Sequence, residues 1–284
     1  MTDSRIGRLV ELALMEDIGL GDITTDAIVP ESQLAKGEFL CKEAGVVAGL
    51  EVAGVVFRYC DHSITFAPTI PDGSAIQVGQ VIAKVDGDAR SLLRGERTAL
   101  NFLQRMSGIA SLTRRYVNAV AGTKVRITDT RKTVPGLRVL DKWAVRLGGG
   151  TNHRFGLDDM VLIKDNHIVA AGSISNAVER CVSYLRSYGP DVALEVETKC
   201  LDEVREALQC EGVKRIMLDN FAAVEMKKAV DLIGHRVEVE ASGGITLENV
   251  RSVAETGVDF ISIGALTHSV KALDISLEFI HTLL

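Results

Sequence analysis

The chain has 284 residues, 46% hydrophobic and 25% charged, an ordinary globular balance with enough length to bury a large core. Its net charge of −6 offers no general basic surface to nucleic acid or an anionic membrane, so an anionic ligand must be met by a local cluster of cations. The five cysteines (Cys41, Cys60, Cys181, Cys200 and Cys210) include no C-x-x-C pair or Cys/His zinc spacing, and no apolar run is long enough for a leader or a membrane span, so a cytoplasmic protein with reduced thiols is expected.

An amphipathic run from Arg5 to Glu16, with Ile6, Leu9, Val10, Leu12 and Ala13 on its apolar side, reads as the first helix. Strands follow at Ala35–Glu43, Ser63–Pro68 and Val81–Asp86, with turns at Asp72-Gly73 and Gly87-Asp88, and Leu50–Cys60 reads as a helix packed on them. The stretch from Pro71 to Gly87 is similar to the hairpin of lipoyl and biotinyl carriers, but no lysine sits at a turn tip, so a structural hairpin is expected. A long helix then runs from about Ser91 to Arg105 and resumes after Gly108. Arg94, Arg97, Asn101 and Arg105 share one of its faces, which by spacing alone is ordinarily a wetted side.

Beyond residue 120 short β-branched runs alternate with amphipathic helices. The strands are Val125–Thr128, Met160–Ile163, Ala193–Val196, Ile216–Leu218, Val237–Val239 and Phe260–Ile263. The helices include Ser173–Tyr188, Leu201–Cys210, Ala222–Leu232 and Thr246–Glu255, with Gly189, Gly212, Gly234 and Gly257 as stops. Strict alternation predicts a parallel sheet with right-handed crossovers, and the number of units points to a complete or partial β/α barrel. No G-x-G-x-x-G follows the first strand, which argues against a dinucleotide-binding sheet.

In such barrels ligands lie over the carboxyl ends of the strands. Those ends read Asp129-Thr130-Arg131-Lys132-Thr133, Lys164-Asp165-Asn166-His167, Glu195-Val196-Glu197, Asp219-Asn220, Glu240-Ala241-Ser242-Gly243-Gly244 and Gly264-Ala265-Leu266-Thr267-His268. Glu197, Asp219, Ser242 and Gly264 are spaced 22, 23 and 22 residues apart, one β/α unit each time. Ordinary turn chemistry does not explain ionisable groups recurring at one end of the strands. Ser242-Gly243-Gly244 and Gly264-Ala265 suit close approach of backbone N–H groups to a phosphate. Arg131, Lys132, His153, Arg154 and Lys164 concentrate cations in an acidic chain, which suits a ligand with several negative charges.

Several long motifs together resemble the quinolinate phosphoribosyltransferase family (nicotinate-nucleotide pyrophosphorylase, carboxylating). They are Glu96-Arg97-Thr98-Ala99-Leu100-Asn101, Ser107-Gly108-Ile109-Ala110, Asp129 to Thr133 with Pro135-Gly136-Leu137-Arg138, Gly148 to Arg154, Leu162 to Ile168, and Gly264 to Ser269. The resemblance covers nearly the whole chain. It implies an α/β fold with an N-terminal α/β sandwich over 1–109, an incomplete parallel β/α barrel over 110–268, and a C-terminal helix over 269–284 packing back on the first domain. It also implies a homodimer or higher homo-oligomer, with Arg97 entering the neighbouring site.

The implied reaction takes quinolinate and 5-phosphoribosyl 1-pyrophosphate to nicotinate mononucleotide, pyrophosphate and carbon dioxide with Mg²⁺, a step of NAD biosynthesis. By the same resemblance, Arg131, His153, Arg154 and Lys164 hold the quinolinate carboxylates, and Lys132 lies near the pyrophosphate or substrate charge. Thr130, at the same strand end, is expected to bind substrate with them. Glu197 and Asp219 attend the ribose hydroxyls and, through water and substrate, the metal. Ser242, Gly243, Gly244, Ile263, Gly264 and Ala265 form the loops for the ribose 5-phosphate. Lys132, Lys164, Glu197 and Asp219 are the expected catalytic groups. Three rivals stay open: a same-fold paralogue with another acceptor, a barrel aldolase or isomerase with Lys164 as a Schiff-base lysine, and a non-catalytic sugar-phosphate binder.

Overall fold

A computed structural model describes residues 4–283. In chain order the elements are α1 (Ser4–Ile18), α2 (Ile23–Ile28), β1 (Leu34–Cys41), β2 (Gly45–Val46), α3 (Leu50–Cys60), β3 (Thr65–Pro68), β4 (Ala75–Ile76), β5 (Val81–Asp88) and α4 (Ala89–Ala119). There follow β6 (Arg126–Thr128), α5 (Arg138–Leu147), β7 (Val161–Ile163), α6 (Asp165–Ala171), α7 (Ile174–Ser187), β8 (Leu194–Thr198), α8 (Leu201–Gln209) and β9 (Val213–Asp219). The last are α9 (Ala223–Ile233), β10 (Glu238–Ser242), α10 (Val250–Ala254), β11 (Phe260–Ser262), α11 (Ala265–His268) and β12 (Ile275–Leu283). The chain divides into two compact units, the first Met1–Arg114 with Thr133–Gly149 and Ala265–Leu284, the second Arg115–Lys132 with Gly150–Gly264.

The first unit is built on an antiparallel sheet in the order β12-β1-β5-β3. Its core follows from apolar spacing. Ile6, Val10 and Leu14, four residues apart, bury one stripe of α1, and α3 buries an unbroken run from Val52 to Phe57. Phe39, Phe57 and Phe66 meet with ring centroids 5.6–6.0 Å apart, the first two fully buried.

Two expectations are corrected here. Gly108 does not interrupt α4, which runs as one helix of 31 residues. Instead it lets the helix pass the backbone of Lys271, whose carbonyl oxygen would lie 2.2 Å from an added Cβ. The expected C-terminal helix is a strand: β12 pairs antiparallel with β1 from Ile275↔Cys41 onward. Its sequence alternates Ile275, Leu277 and Phe279 with Ser276, Glu278 and Ile280, and Ile275 and Leu277 are buried while Glu278 is exposed. That period of two belongs to a half-buried strand. Residues 1–3 and 284 of the expected terminal spans lie outside the described residues.

The second unit is a parallel sheet of six strands in the order β6-β11-β10-β9-β8-β7, whose first and last members are not paired with each other among the described residues, the pattern of an incomplete barrel. Beyond β6, Thr151 continues the hydrogen-bonding: its N–H donates to the Ile127 carbonyl at 2.8 Å, and its own carbonyl accepts from Asp129 N–H. Val196, Ile216, Leu218, Ala241 and Ile261 have no exposure, as strands covered by crossover helices require. Among the described residues, no helix is long and apolar enough to cross a membrane.

Candidate active site

A cavity of about 700 Å³ opens over the carboxyl ends of these strands. Its walls follow the period-two rule for one face of each strand: Leu162 with Lys164, Met217 with Asp219, and Glu240 with Ser242, joined by Glu197 and Ser262. Strand-end loops add Thr130, Arg131, Lys132, His153, Arg154, Asp165, Asn220, Gly243 and Gly244. Thus Thr130, Arg131, Lys132, His153, Arg154, Lys164, Glu197, Asp219, Ser242, Gly243 and Gly244, all singled out in the sequence, come together. Arg97 is exposed on α4 and does not line the cavity, nor do Ile263, Gly264 and Ala265.

The cations are held by their own loops. Lys132 N–H donates to Thr130 Oγ1 at 3.0 Å. Arg154 Nη1 donates to the Met160 carbonyl at 3.0 Å. Burial, and then the positive charge of Arg131, hold the Arg154 guanidinium below its ordinary pKa, against the opposing charges of Glu195 and Asp159. Lys164 follows β7 directly and caps α6. Its Nζ lies 3.1 Å from Glu197 Oε2, and its backbone N–H donates to His167 Nδ1 at 3.0 Å. His167 is therefore a support for Lys164.

The loops after β9 and β10 interlock. Asn220, left-handed at φ 58°, donates its N–H to the Ser242 carbonyl at 2.8 Å and its amide to Asp219 Oδ2 at 2.9 Å. Gly243, at φ 88°, sits against it so closely that a Cβ would lie 2.2 Å from Asn220 Oδ1. The helix expected from Thr246 is only the short α10. Asn249 braces the intervening turn, accepting from Thr246 N–H at 2.8 Å and donating to the Gly244 carbonyl at 2.9 Å. An anion over Gly243 and Gly244 would thus meet loop N–H groups rather than a helix end.

Beneath the cavity lies a buried charge cluster that the sequence reading passed over. His153 Nε2 is 3.2 Å from Glu195 Oε2 and 3.4 Å from Glu240 Oε2, and both glutamates have no side-chain exposure. Arg215 Nη1 reaches Glu240 Oε2 at 3.1 Å, its Nη2 reaches Glu238 at 2.8 Å, and its guanidinium lies 3.8 Å over the Phe260 ring. Burial and the charge of Glu240 push the Glu195 carboxyl up. Burial also works against the Glu240 charge, but His153, Ser262 and Arg215 outweigh it and hold that carboxyl low. Burial pulls the His153 pKa down, yet the two glutamates overcome it and raise it to about 9. Against a second ring proton stands the Arg154 backbone N–H, which donates to Nδ1 at 2.8 Å. Glu195 and Glu240 stood in the strand-end runs, and the available signal was a carboxylate spaced two residues inside a cavity-facing group, as in Glu195–Glu197 and Glu240–Ser242.

Residues 22–107 match the family model described as Quinolinate phosphoribosyl transferase, N-terminal domain, and residues 109–278 match its C-terminal domain counterpart. The chain belongs to the quinolinate phosphoribosyltransferase family. Relatives include the chloroplastic nicotinate-nucleotide pyrophosphorylase [carboxylating] of Arabidopsis thaliana, 47% identical over 95% of this chain and 81% of that protein. The probable nicotinate-nucleotide pyrophosphorylase [carboxylating] of Bacillus subtilis is 43% identical over 98% of this chain and 94% of its own. The crystal structure of NadC from Streptococcus pyogenes has a TM-score of 0.93 at 40% identity, covering 99% of each chain. These matches support the resemblance read from the motifs and do not favour the paralogue.

Proposed function

We propose that this quinolinate phosphoribosyltransferase family member transfers the phosphoribosyl group of 5-phosphoribosyl 1-pyrophosphate to quinolinate with decarboxylation, as a step of NAD biosynthesis. The observation that carries this reading is the cavity's charged lining. Arg131, Lys132, Arg154 and Lys164 share it with Glu197 and Asp219, which stand on neighbouring strands, and Lys164 meets Glu197 at 3.1 Å where the two sets join. A dianionic acceptor suits the first group and a sugar developing positive charge suits the second.

In the reaction, the pyridine nitrogen lone pair attacks C1 of the ribose and the C1–oxygen bond to pyrophosphate breaks, its electrons leaving with pyrophosphate. The ring nitrogen becomes cationic. The bond to the adjacent carboxylate then breaks, carbon dioxide departs, the electron pair stays on the ring carbon, and a solvent-derived proton replaces it. Arg131, Arg154 and Lys164 hold and orient the acceptor carboxylates. Glu197 and Asp219 face the ribose hydroxyls and stabilise charge at C1, as carboxylates do in glycoside cleavage. Lys132 offsets charge on the leaving group. Ser242, Gly243 and Gly244, with Ile263, Gly264 and Ala265, receive the 5-phosphate. No nucleophilic side chain is needed, because orientation and exclusion of water supply the advantage.

Glu197 and Asp219 present hard carboxylate oxygens at one cavity wall, a donor set that fits Mg²⁺ shared with substrate phosphates. Bound there, the ion would neutralise charge gathering on pyrophosphate. The reading extends to a cytoplasmic homodimer or higher homo-oligomer in which Arg97 enters the neighbouring site, consistent with its exposed place on α4. The test is release of carbon dioxide and pyrophosphate from quinolinate, 5-phosphoribosyl 1-pyrophosphate and Mg²⁺ beside a nicotinate control. Both products from quinolinate are expected; products from nicotinate alone would reassign the acceptor, and none from either would overturn the reading.

A further inference from the structure

The open side of the barrel lies between β6 and β7, and the chain that crosses it, from Thr151 to Arg154, brings His153 and Arg154 to the cavity. The crossing begins as a parallel ladder. Thr151 N–H donates to the Ile127 carbonyl at 2.8 Å, and Asp129 N–H donates to the Thr151 carbonyl at 3.3 Å. In a ladder that continued, His153 N–H would donate to the Asp129 carbonyl. It donates instead to the side chain, Asp129 Oδ1, at 2.8 Å, and the Asn152 side-chain amide donates to Oδ2 at 2.6 Å. The carboxylate takes over a bond that the backbone would have accepted, so the segment leaves the sheet while still tied to it. Asp129 is fully buried. A carboxylate cut off from water has to be met by donors inside the protein, and in meeting them it fixes them.

We propose that Asp129 is a positioning residue for the acceptor: its carboxylate clamps the Asn152–His153 segment to the end of β6, so that His153 and Arg154 line the cavity together with Arg131. Arg131 follows Asp129 by two residues on the same strand end, so one buried side chain sets the spacing of cations that come from two separate stretches of chain. The two donors belong to consecutive residues, and a carboxylate offers an oxygen to each, whereas an asparagine would turn its own amide N–H toward one of them. The far end of the crossing is fixed independently. Arg154 Nη1 donates to the Met160 carbonyl at 3.0 Å, and Phe155 N–H donates to Asp159 Oδ2 at 2.6 Å, just before β7 begins. Without the Asp129 carboxylate the crossing therefore keeps its Thr151 ladder at one end and its anchors before β7 at the other. The piece set loose is the one between, which carries His153 and Arg154.

This inference rests on the proposed reaction, and its test keeps the two apart. Wild-type protein, Asp129→Ala and Asn152→Ala are compared for KM of each substrate and, by mass spectrometry, for backbone amide hydrogen exchange over residues 150–156. In Asp129→Ala, KM for quinolinate should rise roughly ten- to hundredfold, with KM for 5-phosphoribosyl 1-pyrophosphate within about twofold of wild type. Exchange should quicken over residues 150–156 while β8 and β9 keep theirs. Asn152→Ala removes one of the two bonds and should show a smaller rise, again confined to quinolinate; it carries the test alone if Asp129→Ala does not fold. Equal rises in both KM values would overturn the proposal. So would a lower melting temperature with both KM values unchanged, which marks a merely structural role, or exchange over 150–156 no faster than in wild type. If wild-type protein turns over no quinolinate, the reaction reading fails, and the clamp is still judged by exchange: quickening confined to 150–156 supports it, and none overturns it.

Discussion

Arg105 of α4 and Asp141 of α5 form a two-pronged ion pair, Nε to Oδ1 at 3.0 Å and Nη2 to Oδ2 at 2.9 Å. Their exposures differ: the arginine side chain keeps 23% and the aspartate none. Deleting either partner should therefore cost unequal amounts. Arg105→Met leaves a carboxylate with no water, a loss of about 3–5 kcal/mol. Asp141→Leu, close in volume, leaves a guanidinium that can turn to solvent, so about 1–2 kcal/mol is expected. Arg105 also donates to the Thr267 carbonyl at 3.1 Å, a bond that survives in Asp141→Leu and not in Arg105→Met. The double variant strands no carboxylate and should be more stable than Arg105→Met alone. Burial already raises the Asp141 pKa, with Arg105 opposing it. Without Arg105 the rise is larger, so the variant's deficit should shrink as pH falls through the raised pKa, where the folded state takes up a proton first. Urea unfolding of the four proteins at neutral and mildly acid pH gives all these quantities. An Arg105→Met loss no greater than that of Asp141→Leu, or strictly additive losses in the double variant, would refute the reasoning.

Lys164→Ala removes the cation at the head of α6 and should lower kcat/KM for quinolinate about tenfold or more, while borohydride with a carbonyl compound should trap nothing on the wild type; trapping at Lys164 would favour the aldolase rival. Gly243→Ala combines a φ of 88° with a Cβ 2.2 Å from Asn220 Oδ1, and should raise KM for 5-phosphoribosyl 1-pyrophosphate several-fold and destabilise by about 1–3 kcal/mol. Gly244→Ala, at φ 61° with nothing within 4 Å, should cost only about 1–2 kcal/mol, and the two melting curves check the contrast. Arg97→Ala should leave stability within about 0.5 kcal/mol yet abolish turnover. Mixing it with the impaired Lys164→Ala should raise activity above the sum of the two variants alone through hybrid assemblies, and no such gain would count against a shared site.

The barrel was legible because its strands and helices repeat with clean periods, and the cavity's cations because they stand in strand-end runs. The rest was hidden for identifiable reasons. Gly108 reads as a break in any helix, and only the approach of Lys271, far along the chain, explains why it is not. The run from Ile275 alternates Ile275, Leu277 and Phe279 with Ser276 and Glu278, a strand's period, but the edge of β1 that it pairs with lies far back in the chain. The roles of Glu195 and Glu240 depend on His153 and Arg215, which come from other segments, and a carboxylate at a strand end looks the same whether it faces water or a buried imidazole. Arg97 lies outside the cavity lining, and its proposed role depends on a second copy.

The pairing of β12 with β1 has a consequence for how the protein is made. β1 is complete once the ribosome has passed Cys41, but its outer partner begins at Ile275. Throughout most of synthesis β1 therefore has β5 on one side and a bare row of backbone donors and acceptors on the other, an edge open to pairing with another nascent chain. Emergence of the segment from Ile275 onward closes it. Premature termination, proteolytic trimming or a bulky fusion at the C-terminus should thus be felt first as aggregation through the N-terminal sheet, even though the barrel and its cavity end before that strand begins.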